Sequence, residues 1–159
     1  MDPLSVELLF DEVSGPNPEV DALLARHHAL MRSMSPEESC HVMTSDELQR
    51  GGARVVMGRL PSGEPVAIGA FMALGDGAAE LKSMHCRDDL RGMGLGRALL
   101  SHLMATAKDA GMTSLWLETG SEPPFEPARG LYLNAGFEEC PPFGSYKLDP
   151  LSVFMSRRL

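Results

Sequence analysis

Cysteine is scarce in this 159-residue chain, and the three that occur, Cys40, Cys86 and Cys140, are widely scattered with no Cys-x-x-Cys pair. An odd number of isolated thiols supports neither a disulfide framework nor a zinc site, so idle thiols and no bound metal are expected. Long apolar runs are missing as well. No stretch approaches the ~20 residues that a membrane-crossing helix needs, and Met1-Asp2-Pro3-Leu4-Ser5 lacks the basic and apolar segments of a secretory leader. The reading is a cytoplasmic protein with no membrane partner. Positive charge is in deficit: 14 Lys and Arg stand against 22 Asp and Glu, a formal net charge of −8. Such a surface repels nucleic acid and weakly favours cationic small molecules such as amines. Internal repeats and low-complexity segments are absent, and the length suits one domain over residues 1–159.

What the chain does have is a glycine-rich turn, Arg91-Gly92-Met93-Gly94-Leu95-Gly96-Arg97, between an extended run ending at Cys86 and a helical pattern over 95–110. Strand, glycine turn and helix form an anion-binding arrangement. Glycine lets the backbone turn with positive φ and lets a ligand approach the amides, and the first N–H groups of a helix have no intrahelical partner. Those donors and the helix dipole favour phosphate, with Arg91 and Arg97 placed to add charge-assisted hydrogen bonds. A pyrophosphate is the expected guest. A P-loop would need Gly-Lys-Ser/Thr where the chain has Gly96-Arg97-Ala98, and a dinucleotide fold would need Gly-x-Gly-x-x-Gly near the first strand.

The remaining elements follow from punctuation and periodicity. A first strand is read at Val6–Phe10, ended by Gly15-Pro16-Asn17-Pro18, and then an amphipathic helix carrying Val20, Leu23, Leu24, His27, Leu30 and Met31 on one side. His27 and His28 are read as ordinary helix residues. Ser35-Pro36-Glu37-Glu38 and Thr44-Ser45-Asp46-Glu47 both match the capping box. Three strands, 54–59, 65–74 and 79–86, then form an antiparallel meander. Alternation along the third places Glu80, Lys82 and Met84 on one face, with Leu81, Ser83 and His85 on the other. After the glycine turn and its helix, Ser114–Glu118 resumes the sheet in parallel. A proline-rich loop at 122–127 leads to a helix with Ala128, Leu131, Tyr132 and Ala135 on one face, and strands at 137–140 and 153–157 finish the chain.

This order, with Arg91-Gly92-Met93-Gly94-Leu95-Gly96 and Leu131-Tyr132-Leu133-Asn134-Ala135-Gly136-Phe137, resembles the GNAT superfamily of acyl-CoA-dependent N-acyltransferases over nearly the whole chain. Leu117-Glu118-Thr119-Gly120, Pro142-Phe143-Gly144-Ser145-Tyr146, Asp149-Pro150 and Ser152-Val153-Phe154-Met155 look like a bacterial subgroup of small proteins of that kind. The resemblance implies an α/β (α+β) fold with a mixed, mostly antiparallel sheet of six to seven strands and about four helices. It implies acetyl-CoA as co-substrate, its diphosphate held at residues 91–97 and its pantetheine arm along the main chain of Met84, His85 and Cys86. Homodimers are compatible with the fold.

The same resemblance suggests roles for side chains. Tyr132 is read as the general acid for the departing thiolate, plain core packing being the alternative. Glu80 is read as a catalytic base, although a carboxylate so close to Lys82 serves equally well as an ion-pair partner. His41, Glu118 and Tyr146 are acceptor-site candidates by location, each with a structural alternative. Nothing local activates Cys86, so direct transfer in a ternary complex is expected. The expected activity is N-acetylation of a small or amino-acid-like amine. Acetylation of a protein N-terminus or lysine, and a non-catalytic acyl-CoA-binding module, are the alternatives.

Overall fold

A computed structural model describes residues 7–34, 44–90 and 93–159. Seven strands, β1 (Leu9–Val13), β2 (Ala53–Arg59), β3 (Pro65–Gly75), β4 (Ala78–Cys86), β5 (Ser114–Gly120), β6 (Glu138–Cys140) and β7 (Ser152–Arg158), form one sheet in the order β1-β2-β3-β4-β5-β7-β6. All neighbours are antiparallel except β4 and β5. Helices α1 (Pro18–Met34) and α2 (Ser45–Arg50) cover one face, and α3 (Leu95–Asp109) and α4 (Glu126–Asn134) the other. No helix among the described residues is long and apolar enough to cross a membrane.

Strands covered on both faces need apolar residues at successive positions, and β3 supplies them. Ile68 and Ala70 pack with Val20, Leu23 and Leu24 of α1, while Ala67 and Phe71 pack with Leu99, Leu100 and Leu103 of α3. The helix starts are set chemically. The Asn17 side chain accepts from the Val20 N–H at 3.1 Å, capping α1 with Pro18 as its first residue. Thr44 Oγ1 accepts from the Glu47 N–H at 3.1 Å, the expected capping box of α2. The other capping-box match, at 35–38, lies outside the described residues.

The first strand runs three residues later than the apolar pattern suggests. Its register, Leu9 opposite Arg59 and Val13 opposite Val55, is held by two diagonal ion pairs, Glu12 with Arg54 at 2.5 Å and Asp11 with Arg59 at 3.1 Å. Exposed pairs of this kind are worth at most about 1 kcal/mol each. On an edge strand with one solvated face, that is enough to choose between neighbouring registers.

β4 departs from simple alternation. Ile68 pairs with His85 and Ala70 with Lys82, so Gly69 faces both Ser83 and Met84. That is a bulge, and Ser83 carries its strain at φ 56°. The extra residue turns the following side chains over. Met84 and Cys86 pack with Leu81 on the α3 and α4 face, and the His85 ring meets His27 of α1 on the other. The expected grouping of Glu80, Lys82 and Met84 is therefore corrected: Glu80 and Lys82 share their face with His85. Beyond the bulge the parallel ladder also stops. β4 and β5 pair only at Ala78–Ser114, Ala79–Leu115 and Glu80–Trp116, and then separate.

A non-glycine residue at positive φ costs roughly 1–2 kcal/mol, partly offset when glycine replaces it by the greater freedom of the unfolded chain. Ser83→Gly is expected to raise the unfolding free energy by up to about 1 kcal/mol, read as a higher urea midpoint.

Candidate active site

The separation of β4 from β5 opens a cavity of about 640 Å³. Its sides are residues 81–87 of the β4 segment and 117–120 of β5, closed by the first turn of α3, by α4 and by α1. Among the described strands none pairs with the β5-facing edge of β4 past Glu80, so main-chain donors and acceptors of Leu81–Cys86 are presented to the cavity. An extended ligand can add there as a strand would. Met84, His85 and Cys86 all line it.

At one end lies the start of α3. Gly94 caps the helix at φ 77° with no side-chain hydrogen bond to it, and the intrahelical series begins with the Ala98 N–H to the Gly94 carbonyl at 3.1 Å. The amides of Leu95, Gly96 and Arg97 precede that bond and remain orphan donors. A Cβ on Gly96 would sit 3.2 Å from Leu131 Cδ2, so glycine lets α4 close onto this turn. Gly94, Leu95, Gly96 and Arg97 line the cavity, whereas Met93 packs against the core. Arg91 and Gly92 lie outside the described residues. Open amides, the positive end of a helix dipole and Arg97 together suit a diphosphate.

Tyr132 of α4 projects into the same cavity. Its hydroxyl donates to Met84 Sδ at 3.8 Å, and its ring meets Phe137 edge-on. Burial, and secondarily the neighbouring Cys86, push the phenol up to about 12, so it is protonated at any ordinary pH. Burial alone pushes the Cys86 thiol up to about 11, leaving it neutral and a poor nucleophile.

Glu80 stands behind the cavity wall. Only 5% exposed and not among the lining residues, it accepts from the Tyr146 hydroxyl at 2.5 Å, with Lys82 Nζ 3.9 Å from its other oxygen. Burial first, then the bond to Glu80 and the charge of Glu118, raise the Tyr146 phenol. Its ring lies against Phe143 and Phe154. Glu118 lines the cavity and accepts from Ser152 Oγ at 2.7 Å. Glu80, Glu118 and Tyr146 thus meet at one place, and His41 lies outside the described residues. After β5, Arg129 donates to the carbonyls of Gly120 (2.7 Å) and Glu122 (3.1 Å), fixing the turn that brings α4 to the cavity.

Among the lining residues that the sequence does not announce as site residues are Lys82 and His27. Lys82 was considered only as a neighbour of Glu80. His27 was set aside as an ordinary helix residue, although a polar side chain within an apolar stripe was the available signal. It lines the cavity with Leu30 and Met31, meets the His85 ring at 5.2 Å, and its buried Nδ1 has no hydrogen-bond partner. Burial, followed by His85 and His28, lowers its pKa to about 4. Among the described residues no His, Cys, Asp or Glu cluster fits a metal ion.

Two outcomes follow from these environments. An imidazole held neutral in the folded state stabilises it fully above pH about 6.5, and that contribution fades as pH falls toward about 4. The loss amounts to about 3 kcal/mol at most, so His27→Gln is expected to flatten the fall in urea midpoint between pH 7 and pH 4.5. Iodoacetamide at pH 8 is expected to alkylate Cys86 on the order of a hundredfold more slowly than an unshifted thiol, as followed by peptide mass spectrometry.

Comparison with known proteins bears on this geometry. Residues 22–137 match the family model described as the acetyltransferase (GNAT) family. The chain is 38% identical over 144 residues to the uncharacterised N-acetyltransferase YedL of Escherichia coli (strain K12), covering 90% of this chain and 89% of that protein. It is 36% identical over 126 residues to the IAA acetyltransferase of Azospirillum brasilense, covering 78% and 80%. The fold matches a Klebsiella pneumoniae crystal structure assigned as an acyl-CoA N-acyltransferase, with TM-score 0.81, 29% identity and coverage of 96% and 97%. By family model, curated relatives and fold alike, this chain belongs to the GNAT family of acyl-CoA-dependent N-acyltransferases.

Proposed function

We propose that the protein transfers an acetyl group from acetyl-CoA to the primary amine of a small or amino-acid-like acceptor by direct attack within a ternary complex. One observation carries this reading: a single cavity joins the open first turn of α3 to the Tyr132 hydroxyl, along an unpaired strand edge. The turn and Arg97 hold the diphosphate. The β4 main chain aligns the pantetheine arm, and its amides polarise the thioester carbonyl.

The amine nitrogen attacks the carbonyl carbon, a C–N bond forms as the C–S bond breaks, Tyr132 gives its proton to the departing thiolate, and the second proton that the nitrogen sheds on becoming an amide returns to the Tyr132 oxygen through water. The Tyr132 hydroxyl already rests on a sulfur atom, Met84 Sδ, a contact that the thioester sulfur would replace. The acceptor arrives as an ammonium and must shed a proton before it attacks. Glu118 on the wall, and Glu80 behind it through water, supply the negative charge that draws the ammonium in and takes that proton. Tyr146 holds Glu80 in place. The neutral Cys86 thiol speaks against an acyl-enzyme intermediate. A cavity of about 640 Å³ suits a pantetheine arm with a small acceptor, in keeping with the name of the Azospirillum relative.

General acid catalysis contributes typically 10²–10⁴-fold. Tyr132→Phe is expected to lower kcat by about a hundredfold or more with little change in CoA affinity, measured as thiol release over an amine panel and by titration calorimetry. Tight CoA binding with no turnover of any amine by the wild type would instead identify an acyl-CoA-binding module.

A further inference from the structure

The plane of the sheet divides the cavity into two sides. The open first turn of α3, Tyr132 and Met84 stand on one, so an acyl-CoA laid along β4 enters from the α3 and α4 face. The carbonyl face left for an attacking amine is the one toward α1. That side has walls of its own. His27, Leu30 and Met31 line the cavity from one face of α1. On β5, Gly120 alternates with Glu118 and Trp116, and Trp116 pairs with Glu80 on the face where His85 meets His27. A Cβ at Gly120 would therefore point to the α1 side, and it would meet the Phe125 ring at 2.3 Å. The glycine lets that ring lie directly over the strand.

Three apolar side chains on this side have no place in the core. Leu30, Met31 and Phe125 belong to neither cluster of packed core residues among the described residues, and all three line the cavity. Apolar surface outside the core and facing a concave site is what a ligand would cover. The α1 wall adds no formal charge, because burial, followed by His85 and His28, keeps the His27 imidazole neutral. The charged groups of the other walls have protein partners: Lys82 pairs with Glu80 at 3.9 Å, Glu118 accepts from Ser152 at 2.7 Å, and Arg87 is engaged by Glu64 and Asp89.

Resting on the acetyltransferase reading above, we infer that the acceptor amine carries an uncharged apolar side chain, aliphatic or aromatic, seated between Leu30 and Met31 of α1 and the ring of Phe125. Its burial supplies binding in proportion to the area taken from water. A polar side chain would shed its hydration against walls that return little hydrogen bonding. Leu30 and Met31 become the residues that select the acceptor.

The test takes amines in pairs of nearly equal size that differ in side-chain polarity: leucine against asparagine, methionine against glutamine, and isoamylamine against β-alaninamide. Two quantities are read, kcat/KM for acetyl transfer and affinity for the CoA-loaded protein by calorimetry. Each methylene taken from water is worth about fourfold, so the wild type is expected to prefer the apolar member by at least about tenfold in both. Leu30→Asn and Met31→Gln are each expected to reduce that preference severalfold and Met31→Leu to keep it, with melting curves confirming that the variants fold. Polar members acetylated as fast as apolar ones, or a preference unchanged when Leu30→Asn and Met31→Gln are combined, would overturn the inference while leaving the acetyltransferase reading intact. Apolar-selective binding that depends on Leu30 and Met31 without any turnover would do the reverse. Neither binding nor turnover of any of these amines would overturn both.

Discussion

Ser83 and Met84 share one partner, Gly69, across the β3–β4 ladder, and the arrangement of the site depends on that extra residue. A regular β4 would carry Met84 and His85 on the opposite faces and would have no cause to turn away from β5. With the bulge, Met84 comes under the Tyr132 hydroxyl, His85 meets His27, and an edge of main chain that a closed sheet would hide is left for a ligand. Gly69 makes the crossing feasible, since a Cβ there would sit 2.5 Å from Leu103 Cδ1. The strained serine and the tightly packed glycine belong to one device.

Around that opening the molecule sorts its charges. A protein of net charge −8 is proposed here to bind an anionic co-substrate, and the start of α3 offers dipoles and open amides for it, with little need to concentrate positive side chains. The acidic groups gather at the other end of the cavity, at Glu118 and Glu80. Between them the Tyr132 phenol, the Cys86 thiol and the His27 imidazole are all kept uncharged, chiefly by burial.

Much of this was legible in the residues themselves. The glycine turn opening α3, the Thr44 capping box, the meander and the parallel return of β5 all follow from local rules, because each is fixed by side chains within a few positions of one another. The bulge was not legible, since Ser83 offers neither glycine nor asparagine to announce a left-handed backbone. The first strand was placed too early because its register is set by Arg54 and Arg59, more than forty positions away. For the same reason the resemblance points to Glu80 as a base without showing its packing under Tyr146, which depends on a partner 66 residues further on.

The place of β7 has a consequence for how such a chain matures. Residues 152–158 lie inside the sheet, between β5 and β6, while the earlier-made β6 stays on the rim. During synthesis β5 therefore waits with a bare edge until a late segment emerges, an interval in which a sticky apolar strand is open to stray pairing. The ligand pocket, one wall of which is β5, is then among the last features to mature, and nascent chains would gain their binding competence only as assembly ends.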